Sequence, residues 1–183
     1  LPVEQRNGSW YTFNDQSPEG WQEPADNAAL LAMTPIADRP GSAYAAGTWG
    51  GGFIDWGAGM GFAFREVGGV PVEYDASEYE GISFWARTDE EFANVWRVNV
   101  PDVSTSPEGG WCGDDCGDHF GRTFVVTTQW RQYSFSWASL RQTGWGPAPP
   151  GGISPAQLYG VELLFAAQGV DFVLYVDDIT FYR

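Results

Sequence analysis

About nine short segments of this 183-residue chain either alternate apolar and polar residues or run through aromatic and β-branched ones. They are SWYTFN (9–14), SAYAAGTW (42–49), GMGFAF (59–64), GISFWAR (81–87), NVWRVNV (94–100), RTFVVTT (122–128), QYSFSW (132–137), YGVELLFAA (159–167) and VDFVLYVDDITFY (170–182). Each is bounded by Gly, Pro, Asn or Asp, the residues that end strands and make turns. No long stretch repeats with a period of 3.6, so helix is confined to short turns. One is expected at 154–158, where Pro155 follows a capping serine, and one around 138–140. Short strands joined by turn-rich loops predict an all-β protein. The expected architecture is a two-sheet antiparallel β-sandwich of jelly-roll type, forming one domain over 1–183.

Charge narrows the choice of partner. The net charge is −15, and all nine cationic residues are arginine. Without lysine there is no Schiff-base chemistry. Phosphates are repelled, which argues against nucleic acid and anionic membranes, while neutral ligands and divalent cations are permitted. No run of 18 apolar residues occurs. The first residues, LPVEQRNGSW, lack a basic-then-apolar leader pattern and read as a mature or trimmed end. Aromatic residues reach 16%, including ten tryptophans. A core of this size does not need all ten, and indoles left on the surface need a partner.

Residues 101–121 lack a strand pattern, and loops of this length are functional, pinned or disordered. Within them, GGWCGDDCGDHFG (109–121) contains both cysteines and the single histidine. A disulfide between Cys112 and Cys116 is the expected state. It fixes Trp111, Asp118 and His119 locally and adds little global stability, because the loop it closes is short. The C-x3-C-x2-H spacing also resembles part of a zinc site, but only an aspartate is available as fourth ligand. His119 beside Asp115 and Asp118 has the chemistry of a general base. No G-x-S-x-G nucleophile turn accompanies it, so a hydrogen bond to loop backbone or to a ligand hydroxyl is the simpler role.

Asp177 and Asp178 interrupt the apolar final segment. Adjacent strand residues point to opposite faces, so one of these carboxylates meets the interior side, where an unpaired charge is costly. A calcium ion would satisfy it, with Asn14, Asp15 and Glu19 available as further oxygen donors. Solvation at a strand end, or pairing with an arginine, would serve as well.

Three stretches carry a family resemblance. YDASEYEGISFWAR (74–87) resembles a segment of bacterial carbohydrate-binding modules with the galactose-binding-like jelly-roll fold, and FVLYVDDITFY resembles their last strand. WCGDDCGDHFGRTFVVTTQWRQYSFSWASLRQTGWG (111–146) is similar to a C…C-x-DHFG…Q-x-GWG pattern of secreted bacterial domains of this type. The resemblance covers most of residues 10–182. It implies a secreted glycan-binding domain, expected as a monomer, with structural calcium at Asp15 and one of Asp177 or Asp178. The complex I intermediate-associated protein domain is similar too, and it uses the sandwich for protein contacts, so the fold alone does not settle function.

A sugar ring offers an apolar C–H face and a rim of hydroxyls, so a binding surface needs exposed indoles and nearby polar groups. Trp56, Trp111 and Trp145 lie in irregular loops and are the predicted platforms. Trp85, Trp130 and Trp137 lie in or beside strands and are predicted core. In NVWRVNV, Arg97 and Asn99 share the face opposite Trp96, Val98 and Val100. With Asp102, His119 and Gln142 they are the predicted hydroxyl partners. The expected ligand is a neutral polysaccharide, β-glucan first. A glycoside hydrolase or lyase on the same fold, and a protein-interaction scaffold, are the competing readings.

Overall fold

The computed structural model describes residues 7–25, 33–89, 91 and 94–183. Every expected segment becomes a strand: β1 (Trp10–Asn14), β4 (Tyr44–Gly51), β5 (Ala58–Ala63), β8 (Gly81–Arg87), β9 (Val95–Val100), β10 (Phe120–Val125), β11 (Arg131–Ser136), β12 (Gly160–Phe165) and β13 (Phe172–Tyr182). Four shorter strands had no sequence signal: β2 (Trp21–Glu23), β3 (Thr34–Pro35), β6 (Glu66–Val67) and β7 (Val70–Pro71). The expected turn near 138–140 is a 3-10 turn at Trp137–Ser139. The stretch at 154–158 makes a single hydrogen-bonded turn, Gln157 N to Ser154 O, instead of a helix. Among the described residues no helix is long and apolar enough to cross a membrane.

The strands form two large antiparallel sheets. One, of five strands, runs β1-β5-β12-β9-β10; the other, of six, runs β11-β8-β13-β4-β2 with β3 also paired to β4. Alternation sends Met60, Val98, Leu163 and Phe165 from the first sheet against Ile82, Phe84, Leu174 and Val176 from the second. Trp96, Phe165 and Phe172 close one end of this core, with ring centroids 5.2–5.6 Å apart.

The outer face of the five-stranded sheet is set by register. Tyr11, Gly61, Glu162, Asn99 and Gly121 form one cross-strand row, and Phe13, Gly59, Leu164, Arg97 and Thr123 form the next. The glycines of β5 are a steric requirement. A Cβ at Gly61 would fall 2.3 Å from Tyr11 Cζ, and one at Gly59 2.6 Å from Phe13 Cζ. Both rings therefore lie down across β5, and the face stays open above them.

On the six-stranded sheet, Trp85 and Trp130 are half-buried on the outer face, not in the core as predicted. Phe84 and Ala86 take the inward positions beside Trp85. The two indoles flank Arg39, whose guanidinium carbon lies 5.0 Å from the Trp85 ring centroid and 5.8 Å from that of Trp130. Stacked guanidinium is what keeps them covered. Trp137 is buried, as expected.

Candidate functional site

A cleft of about 570 Å³ opens on the outer face of the five-stranded sheet. Its floor is Phe13, Arg97, Asn99, Glu162 and Leu164, its β1 side carries Trp56, and its β10 side carries Cys116–His119 and Trp145. A hollow of about 480 Å³ adjoins it, reaching past Tyr11 to Glu66 and Glu108, and Phe13, His119 and Glu162 line both. The two form one groove across the strands.

Each cleft tryptophan is held by a carboxylate. Trp145 sits in a loop whose amides at Thr143, Gly144, Trp145 and Gly146 all donate to Asp118, as does the Thr143 hydroxyl. Burial pushes the Asp118 carboxyl upward, but the Thr143 hydroxyl and the loop amides outweigh it and hold the group down at about 2. Trp56 sits in a loop whose amides at Asp55 and Gly57 donate to Asp15, which also accepts from the Ser17 amide and hydroxyl. These bonds outweigh the upward push of burial and lower the Asp15 carboxyl. Trp56 then stacks on Phe13, with centroids 6.1 Å apart and planes 27° apart. The indoles stay wet: Trp56 is 46% and Trp145 62% exposed.

The remaining expected site residues separate. Arg97 and Asn99 reach the floor, joined by Arg97 Nε donating to Asn99 Oδ1 at 2.8 Å. Burial lowers the Arg97 guanidinium and Asp118 opposes that shift. His119 reaches the cleft wall. Asp102 does not: it is fully buried and accepts from the Ser104 amide and hydroxyl, the Thr105 hydroxyl and the Ser154 amide. Its role is to shape the loop that ends at His119. Gln142 donates to the carbonyls of Asp118 and Pro147, bracing the Trp145 loop from behind. Trp111 is 50% exposed but lines neither cavity. The Cys112–Cys116 disulfide is formed.

Glu162, Tyr11 and Phe13 were missed by sequence reasoning. Glu162 had a signal, as the lone charge in the apolar segment GVELLF. The two β1 aromatics had none, because only register and the β5 glycines reveal that they face outward.

The expected calcium donors do not form a cation shell. Arg39 bonds both Asp177 and Asp178. A bulge between Asp177 and Thr180, with Asp178 at φ 48°, breaks the strand alternation and lets adjacent carboxylates reach one guanidinium. Asp15 spends its oxygens on loop amides and Ser17. Among the described residues no group of three His, Cys, Asp or Glu side chains is placed to hold a metal ion. Asp177 and Asp178 are thus engaged by Arg39 and Asp15 by loop amides, and on that arrangement the melting temperature is expected to be the same in excess EGTA and in millimolar calcium, measured by calorimetry.

No known family profile matches the chain, and no curated protein does either. Solved structures do. The family 11 carbohydrate-binding module from Clostridium thermocellum, solved with a β-1,3-1,4-mixed-linked tetrasaccharide, superposes with a TM-score of 0.66 at 13% identity, over 95% of this chain and 88% of that one. The family 30 module of the cellulosomal cellulase Cel9D-Cel44B of the same organism gives 0.59 at 12% identity, over 96% and 92%. An exo-β-agarase gives 0.60 at 11% identity, over all of this chain and 24% of that one. The fold is therefore the jelly-roll β-sandwich of carbohydrate-binding modules, as the sequence resemblance implied.

Proposed function

We propose that this protein is a noncatalytic carbohydrate-binding domain that takes a neutral polysaccharide, β-glucan first, into the groove on its five-stranded sheet. The supporting observation is the pair of exposed indoles, Trp56 and Trp145, held by separate carboxylates on either side of a polar floor. A sugar ring stacks on an indole while Arg97, Asn99 and Glu162 meet its hydroxyls. Binding needs no bond to break. The disulfide suits an oxidising, extracellular setting.

Trp145→Ala is expected to weaken binding of a glycan-array hit about thirtyfold, the equivalent of about 2 kcal/mol for one anchoring aromatic. Trp111→Ala is expected to leave affinity unchanged, because that ring lies outside the groove. Isothermal titration of both variants, with a reducing-sugar assay on the wild type, decides the matter. Equal affinity in Trp145→Ala would place the site elsewhere, and sugar release would favour an enzyme.

A further inference from the structure

A cavity walled by two further indoles lies on the six-stranded sheet, away from the groove. It holds about 470 Å³, within the ordinary range of ligand pockets. Three segments distant in sequence build it: Asp38 and Arg39 between β3 and β4, Trp85 in β8, and residues 128–130 between β10 and β11. Hydrogen bonds tie these segments in place. Trp130 Nε1 donates to Asp38 Oδ1 at 3.1 Å, Thr127 Oγ1 donates to the Gln129 carbonyl at 2.8 Å, and the Thr88 amide donates to the Thr127 carbonyl at 3.0 Å. Arg39 lies against both rings, yet Trp85 and Trp130 are only half-buried and still line the cavity. The charges beside them are already matched. Arg39 bonds Asp177 and Asp178, and Arg87, 5.9 Å from the Trp130 ring centroid, pairs with Asp38 and Asp89. Four carboxylates around two guanidiniums repel an anion, and neither guanidinium is free to receive one. What stays unengaged is uncharged: among the described residues nothing takes up the Thr128 hydroxyl or the Gln129 side-chain amide, both on the exposed rim.

We propose that this cavity is a second glycan site, where a neutral sugar packs on Trp85 and Trp130 while Thr128 and Gln129 bond its hydroxyls. The ligand class rests on the glycan reading of the groove; the position of the site does not. The indoles supply an apolar surface for the C–H face of a ring, and the free hydroxyl and amide each both donate and accept, as sugar hydroxyls require. Its rings are less open than Trp56 and Trp145, so it is the weaker of the two sites. The sheets of a sandwich pack about 10 Å apart, and the two sites occupy opposite outer faces. A straight run of polysaccharide cannot enter both. One domain therefore joins two chains, or two parts of one, and gains avidity on a dense glycan surface.

The test is a titration of the whole protein with a β-1,3-1,4-mixed-linked glucan tetrasaccharide, followed by the assigned nitrogen-15 signals of the indoles. In the wild type two sets of signals are expected to move, Trp56 and Trp145 with one midpoint, and Trp85 and Trp130 with a second at higher sugar concentration. Trp145→Ala should raise the first midpoint, read at Trp56, and leave the second unchanged. Gln129→Ala, at an exposed side chain that the fold does not use, should raise the second midpoint about fivefold, the scale of one neutral hydrogen bond, and leave the first unchanged. Trp130→Ala should abolish the movement of Trp85. Signals of Trp85 and Trp130 that stay still while Trp56 and Trp145 move, or a second midpoint that Gln129→Ala and Trp130→Ala leave unchanged, overturn the second site and leave the groove reading standing. Movement of Trp85 and Trp130 alone supports the second site and overturns the groove. No movement of either set overturns both.

Discussion

Asp118→Asn is expected to release the Trp145 loop and to cost about 2–4 kcal/mol, the scale of losing hydrogen bonds to a charged acceptor and leaving donors unmet. An asparagine keeps the shape but has one oxygen for five donors, and its amide nitrogen would face others. For a chain of this length that amounts to a fall in melting temperature of roughly 4–16 °C. Glycan affinity should fall alongside, because the Trp145 indole loses its fixed position. The wild type carries the same information in its acid limb. The folded carboxyl sits at about 2, below the ordinary aspartate value of about 3.9. A depressed carboxyl stabilises the fold fully above its unfolded value, and that contribution drains away as the pH falls through the folded one. The Trp145 loop should therefore hold through mild acid and let go only near pH 2, a change that tryptophan fluorescence reads. A variant melting with the wild type would show that Asp118 does not clamp the loop.

Arg39→Ala is expected to cost about 3–5 kcal/mol, the penalty for stranding a buried charge. Only 7% of the Arg39 side chain and 11% of that of Asp177 are exposed, so water cannot replace the lost partner. The change also uncovers Trp85 and Trp130, which the guanidinium now covers. Adding Asp177→Asn to Arg39→Ala should recover part of the loss, since it removes the stranded charge. Denaturant melts of the single and double variants measure this. If the single variant is as stable as the wild type, the pair is a solvated contact and calcium returns as a candidate. The groove proposed to bind glycan lies on the other sheet, so any glycan affinity of the groove should survive wherever the variant stays folded.

The sandwich was legible because strand alternation is a local property. In β9, Trp96 and Val98 point inward while Arg97 and Asn99 face the groove, as the pattern of NVWRVNV requires. The same logic failed at β8, where Trp85 looked like core beside Phe84. Its real setting depends on Arg39, which is far away in sequence. It failed again at Asp177–Asp178, where a bulge suspends alternation and no residue type announces the bulge. Loop tryptophans were found by composition, yet Trp111 and Trp145 look alike in sequence. The bonds from residues 143–146 to Asp118, braced by Gln142, hold Trp145 at the cleft.

By itself the sequence determined an acidic, aromatic-rich, two-sheet sandwich with a surplus of indoles, because periodicity, turn residues and composition act over a few neighbours at a time. The tertiary structure alone decided which indoles face the groove and that Asp15 and Asp118 are loop clamps. It also decided that Arg39 takes up both Asp177 and Asp178, and that His119 Nε2 and Glu162 Oε2 lie 3.7 Å apart. Each of these depends on chain segments brought together by strand register and loop closure, and no short stretch of sequence encodes such a meeting.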